Sequence, residues 1–281
     1  MSVRARIGPP GRAFRDTMGR LAPLHLAPAM ELAPALRAGG IWIDQDALAR
    51  PSEGPLAGLM ALFATRGFAP NRKAAAASLL LRLGWASGFA MAAYIALRRV
   101  PVVPSYALFF NGSTMLTAVR ADAAVVLGLA EDPFAGAEDW GGTHAPDALR
   151  LALIRSLADA AEPIVEACHA WSRFSRHALW SMIASSWSAQ FFGLAEVHGV
   201  PDSGLEELRT LLSLDDRTAG AAPELYLVAA DGSTGACQTR AACCLYYKAE
   251  QRHFCASCPI LPEAERLARN REWIARRAQP V

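Results

Sequence analysis

The sequence predicts an α+β fold, with a mainly helical body, a small antiparallel sheet and a C-terminal cysteine-rich module. Three observations predict it. Alanine- and leucine-rich runs of helical period fill much of the chain. An Asn-Gly pair, Asn111-Gly112, sits between two β-favouring runs. Four of the six cysteines fall between Cys243 and Cys258.

At 281 residues the chain is long enough to bury a substantial core. Hydrophobic residues make up 53% and charged residues 19%, which excludes a disordered chain. A net charge of +2 gives no whole-molecule ground for binding nucleic acid, and none is expected as a partner. The charge is uneven: eight basic and four acidic residues lie between Arg240 and Val281. That basic tail reads as a solvated helix face or as a docking surface for an acidic partner.

In chain order, residues 1–20 read as a mobile arm that is basic but has no apolar secretion core. The cytoplasm is then the expected compartment, where clustered cysteines bind metal or do redox chemistry more often than they form disulfides. Met30 to Gly39 reads as a helix with a glycine stop, and Gly54 to Arg66 as another. The apolar block 72–99 reads as a buried core helix, or as two helices broken near Gly84. Its stretch 74–97 is apolar enough to raise peripheral contact with the inner membrane surface. Arg82 within it argues against a span, because a central arginine costs roughly 2.5–3.5 kcal/mol on insertion scales.

Tyr106 to Phe110 and Thr114 to Val119 flank Asn111-Gly112-Ser113, a hairpin signal because Asn and Gly tolerate positive φ. Ala123 to Leu127 adds a third strand. The acidic, aromatic stretch from Ala130 to Asp147 reads as a loop, either a plain connection or a lid. Asp147 to Ser172 carries a clear helical stripe that includes Cys168, and Pro163 is expected to kink it. His177 to Val197 is apolar nearly all round and so central, with Trp180 and Trp187 packed in the core. Leu205 to Leu212 and Glu263 to Arg277 read as helices and Glu224 to Ala229 as a strand. Asp231 to Arg240 reads as a turn-rich approach to the cysteines. The domain expectation is an arm (1–20), a substrate-facing body (21–235) and a cysteine module with the last helix (236–281). No dinucleotide fingerprint, P-loop or nucleophile elbow is present in the sequence.

The cysteines are spaced C-C-x10-C-x2-C: Cys243, Cys244, Cys255 and Cys258. Four thiolates suit tetrahedral zinc or a [2Fe–2S] cluster, in which each iron takes two thiolates and two bridging sulfides. Neighbouring side chains in an extended segment point to opposite sides, so placing Cys243 and Cys244 on one small ion needs a distorted backbone. Spacing alone leaves iron–sulfur, zinc and redox-active or idle thiols all open. Cys237 is spare, and His253 reads as a surface histidine.

The block from Thr239 to Pro259, with Arg240 before the first pair and Pro259 after the last cysteine, resembles the C-terminal cluster motif of FhuF-type ferric siderophore reductases. Leu179 to Ala189 is similar to that family's Leu- and Trp-rich helix, and the Asn-Gly hairpin sits where the family has a short strand pair. The resemblance implies a [2Fe–2S] cluster on Cys243, Cys244, Cys255 and Cys258. It implies one-electron reduction of a ferric siderophore, of hydroxamate type, releasing Fe(II) in the cytoplasm with electrons from an unidentified reduced donor. Arg240, Tyr246 and Lys248 are the expected tuning or substrate-contact residues. Two rival readings are a zinc-stabilised interaction module and a ferredoxin-like carrier without a chelate site of its own.

Overall fold

The computed structural model describes residues 10–24, 26, 28–32, 37–50, 54–63, 65, 71–103, 105–121, 124–248 and 254–278. Residues 1–9 of the expected arm and His253 lie outside them. The remainder of that arm is not an arm. Helix α1 (Arg12–Leu21) buries Ala13, Phe14, Thr17, Met18 and Leu21. Its start is capped from far along the chain, the Asp139 carboxylate accepting from the N–H groups of Ala13 (3.0 Å) and Phe14 (2.8 Å). An anionic acceptor at a helix N-terminus satisfies free N–H groups and complements the helix dipole.

The segment expected as a helix from Met30 begins instead with strand β1 (Ala29–Glu31). Strand β2 (Gly40–Asp44) follows, then the short α2 (Gln45–Leu48) and α3 (Pro55–Phe63). The apolar block is two helices, α4 (Arg72–Ala86) and α5 (Gly88–Leu97), parted at Ser87. Asn71 caps α4 by accepting from the N–H groups of Lys73 and Ala74. Next come β3 (Arg99–Val102), β4 (Ala107–Asn111), β5 (Leu116–Arg120), β6 (Val125–Gly128) and β7 (Trp140–Thr143).

The hairpin at Asn111 forms as the sequence predicts, β4 and β5 pairing antiparallel. The sheets are more mixed than expected. One runs β1-β5-β4-β2 with β1 parallel to β5, and another runs β3-β6-β7 with β6 parallel to β7. The third strand expected near Leu127 is β6, and it joins the second sheet instead of extending the hairpin.

The stretch expected as an open loop after Ala130 is tied into the body. Arg99 is fully buried. Its guanidinium donates to both Asp132 carboxylate oxygens (2.6 and 2.9 Å), to Asp16 of α1 (2.6 Å) and to the Thr17 hydroxyl (3.0 Å). It lies 5.0 Å over the Phe134 ring. The acidic residues Asp132 and Asp139 therefore serve structure, not a lid.

Helix α6 (Pro146–Ser172) continues through Pro163 and buries Cys168. Burial alone pushes that thiol up to about 12, as fits an inert core cysteine. Helix α7 (Arg176–Val197) is the central element. It packs on α4, α5, α6, α8 (Pro201–Ser213) and α9 (Asp216–Ala219). Trp180 and Trp187 are both core residues. The serines of α7 explain its close packing. Ser186 donates to the Leu81 carbonyl of α4 (2.8 Å), and a Cβ on Gly84 would come within 2.5 Å of the Ser186 Cβ. Gln190 donates to the Gly84 carbonyl (2.7 Å), so the break in the apolar block leaves this buried acceptor satisfied. The run Arg72–Leu97 is long and apolar enough to cross a membrane by length and composition, and 67% of its most apolar window is buried inside the fold.

The C-terminal part begins before residue 236. Strands β8 (Glu224–Ala230) and β9 (Ser233–Thr239) form a hairpin across the expected boundary, and the turn-rich approach to the cysteines is strand β9. Helix α10 (Glu263–Ala278) packs on this hairpin. A division between residues 235 and 236 would cut a paired ladder.

Candidate metal centre

The cysteines sit where two arms meet on the surface of α7. The first arm leaves β9 through Arg240. Its Ala242 N–H donates to the Ser181 hydroxyl of α7 (3.0 Å), and the preceding Gln238 side chain donates to the Ser185 carbonyl (2.8 Å). The buried Ser181 hydroxyl and the Ser185 carbonyl thus anchor the strand that delivers Cys243 and Cys244. The second arm carries Cys255 and Cys258 in a turn closed by the Cys258 N–H donating to the Cys255 carbonyl (3.0 Å). The arms are joined by the Arg240 N–H donating to the Ser257 carbonyl (3.0 Å) and by Tyr247 stacking on Phe254, centroids 5.1 Å apart. Arg269 of α10 donates to the Phe254 carbonyl and ties the second arm down.

The adjacent cysteines are accommodated by a bent backbone. Leu245 takes φ 61°, in the left-handed region that a branched side chain adopts at a cost. The bend brings the Leu245 N–H to the Cys243 sulfur (3.3 Å) and sets the Tyr246 N–H against Cys244. Across the site the Ser257 N–H and hydroxyl both act on Cys255, the hydroxyl oxygen lying 3.6 Å from its sulfur. Each arm therefore offers N–H donors to sulfur, the arrangement that stabilises thiolate charge.

The thiols pair across the arms. Cys244 interacts with Cys255, and Cys243 with Cys258. The hydrogen bond from Cys244 holds the Cys255 thiol low, helped by the Arg240 guanidinium and Ser257 and opposed by burial. The same contact holds Cys244 high, with burial adding to it, so the pair shares one proton. Burial raises Cys243. Among the described residues no three His, Cys, Asp or Glu side chains are gathered around one metal position. The Arg240 Nε is buried with no partner among the described residues, beside the Cys244–Cys255 pair. An anionic group held by four thiolates would answer it.

The thiol pair opens onto a cleft of about 300 Å³ between the two arms and the body. Its walls are Cys244, Cys255, Arg240 and Tyr246 on one side. Ala74, Ser78, Leu81 and Arg82 of α4 with Ser113 and Thr114 of the β4–β5 turn form the other. Thr114 is buried at φ 63°, held by a turn in which the Asn111 side chain accepts from the N–H groups of Ser113 and Met115. Of the three residues expected to tune the cluster or touch substrate, Arg240 and Tyr246 line the cleft beside Cys244 and Cys255. Lys248 does not line the cleft; it is exposed, 5.8 Å over the Tyr247 ring. Cys237 lies buried in β9 against Val228 and Ile274, outside the set of four, and burial pushes its thiol up to about 11.

Sequence reasoning missed Ser78, Ser113, Thr114 and the placement of Arg82. The signal for Arg82 was present, since a lone arginine inside an apolar helix is a functional flag, but it was read only as a membrane cost.

The fold is α+β, with a cysteine-rich C-terminal part beside a cleft. Residues 240–259 match the family model described as FhuF 2Fe-2S C-terminal domain. The segment is similar to that domain, which supports a [2Fe–2S] cluster as the cofactor, and Cys243, Cys244, Cys255 and Cys258 all lie inside the matched span. No curated protein and no solved structure matches the chain.

Proposed function

We propose that this protein reduces siderophore-bound Fe(III) by one electron at the cleft beside Cys244 and Cys255, releasing Fe(II) in the cytoplasm. The observation that carries the reading is that cleft. The metal centre opens onto a cavity whose far wall belongs to the body, so a bulky ligand can sit between the two. A simple electron carrier has no need of that wall. When bound, the cluster supplies single electrons at a potential set by charge, hydrogen bonds and exposure.

The chain's own residues do the rest. The thiolates hold the cluster, and the N–H groups of Leu245, Tyr246 and Ser257 with Arg240 offset negative charge on sulfur. Ser78, Ser113 and Thr114 offer hydroxyls to a chelate's oxygens. Fe(III) is a hard ion that binds hydroxamate oxygens tightly. One added electron lowers its charge and loosens that hold, so the iron leaves without destruction of the chelator. A reduced donor supplies the electron, and we assign its docking to the basic face of α10, where Arg271 and Arg276 are exposed.

The test is to add a ferric hydroxamate to anaerobic, dithionite-reduced protein freed of excess reductant, with a ferrous trap present. About one Fe(II) per cluster should be trapped as the oxidised cluster's absorbance returns. A reduced spectrum that stays unchanged over hours with ferric hydroxamate in excess contradicts the reading.

A further inference from the structure

The cleft holds two guanidiniums: Arg240, which faces the thiols, and Arg82, which no carboxylate answers among the described residues. Arg82 projects from α4, its Nη1 donating to the Ser78 carbonyl (3.0 Å) and to the Ser78 hydroxyl. Its Nη2 lies 3.6 Å from the Met115 sulfur, and its plane sits 5.0 Å over the Phe63 ring. All these partners are neutral. Its Nε is buried without a partner, as is that of Arg240 on the opposite wall. No Asp or Glu stands among the described residues lining the cleft.

A half-buried guanidinium whose partners are all neutral keeps its charge to offer an anion in the cleft. The metal centre sharpens the need. Four thiolates around a cluster leave net negative charge, which repels any anion brought into the same cleft at low effective dielectric. Arg240 stands at the thiolates, and Arg82 stands across from them on the body side. A ligand between the two meets a cation on each side, with the Ser78, Ser113 and Thr114 residues completing the wall.

Resting on the reading of the cleft as a chelate site, we propose that Arg82 is its specificity-determining residue. With Arg240 it selects ferric chelates that carry net negative charge and present anionic oxygens over neutral and cationic ones. Arg82 reaches the ligand as a half-buried donor, and its planar fork suits carboxylate or catecholate oxygens as an ammonium does not.

Gallium(III) chelates are the probe, because Ga(III) has the charge of Fe(III) and takes up no electron here. Three tris-hydroxamates are titrated into the cluster-loaded protein by calorimetry: one neutral, one bearing a free carboxylate and one bearing a free ammonium. The wild type should bind the carboxylate form about tenfold or more tighter than the ammonium form. Arg82→Met should lose about tenfold affinity for the anionic chelate and flatten the order, with the cluster's absorbance unchanged. Arg82→Lys should keep the order at reduced affinity. Equal wild-type affinity for all three, a preference for the cation, or an Arg82→Met variant that keeps the wild-type order overturns the proposal. If the wild type reduces a ferric hydroxamate yet shows no charge preference, only the role of Arg82 falls. If it neither binds the gallium chelates nor reduces the ferric one, the chelate-site reading falls with it.

Discussion

Cys255→Ser should yield a folded but nearly colourless protein, with bound iron below about a tenth of the wild-type level and chelate reduction lost in parallel. Cys255 is the cysteine whose thiolate the site most favours. Cys244, Arg240 and Ser257 all hold its pKa down. Its replacement removes one thiolate from the set of four and takes from Cys244 the partner that shared its proton. Cys237→Ser is the matched control. That thiol is buried in β9 and serves packing, so the variant should keep full iron content. Iron and sulfide analysis with absorbance on both variants checks the pair of outcomes. A Cys255→Ser protein that stays coloured and active, or a Cys237→Ser protein that loses its iron, would refute the ligand assignment.

Asp132→Ala should destabilise the fold by about 3–5 kcal/mol, the cost of leaving a buried charge without its partner. Arg99 depends on Asp132 for a two-pronged contact at 2.6 and 2.9 Å and on Asp16 for a third at 2.6 Å. Asp132 side-chain exposure is 7% against 29% for Asp16, so the Asp132 pair is the one water cannot replace. Through Arg99 the loop after β6, the start of β3 and helix α1 are joined at one point. Replacing the whole set with apolar residues of similar size should cost less than removing Asp132 alone, since it leaves no orphaned charge. Urea unfolding of cluster-loaded wild type and variant, compared at equal slope, reads the difference. A change under about 1 kcal/mol would mean that the guanidinium finds water or another acceptor.

Much of this was legible in the residues, for identifiable reasons. Asn111-Gly112 announced its hairpin because local backbone freedom decides a tight turn. The stripes of α6 and α7 showed because burial on one face, or all round, imposes its period on sequence. The motif from Arg240 to Pro259 was legible because ligand geometry demands particular residue types at particular spacing. Strand β1 was not legible. Met30 to Ala38 is rich in helix formers, and the pairing that makes Ala29–Glu31 a strand is with β5, ninety residues away. Helix α1 was hidden for a similar reason. Its cap is Asp139, more than a hundred residues on, and its charge partner Arg99 lies 83 positions beyond Asp16. The walls of the cleft were not legible. Which body residues face the thiols depends on α4 packing against α7, and no local pattern encodes that.

The central claim is that Cys243, Cys244, Cys255 and Cys258 hold two sulfide-bridged irons. The most direct measurement is metal and acid-labile sulfide analysis of protein purified without oxygen, with its absorbance and spin-resonance spectra before and after dithionite. Two irons and two sulfides per chain, with a paramagnetic signal of one unpaired electron on reduction, is the predicted result. One zinc per chain, no sulfide and no change with dithionite would contradict it.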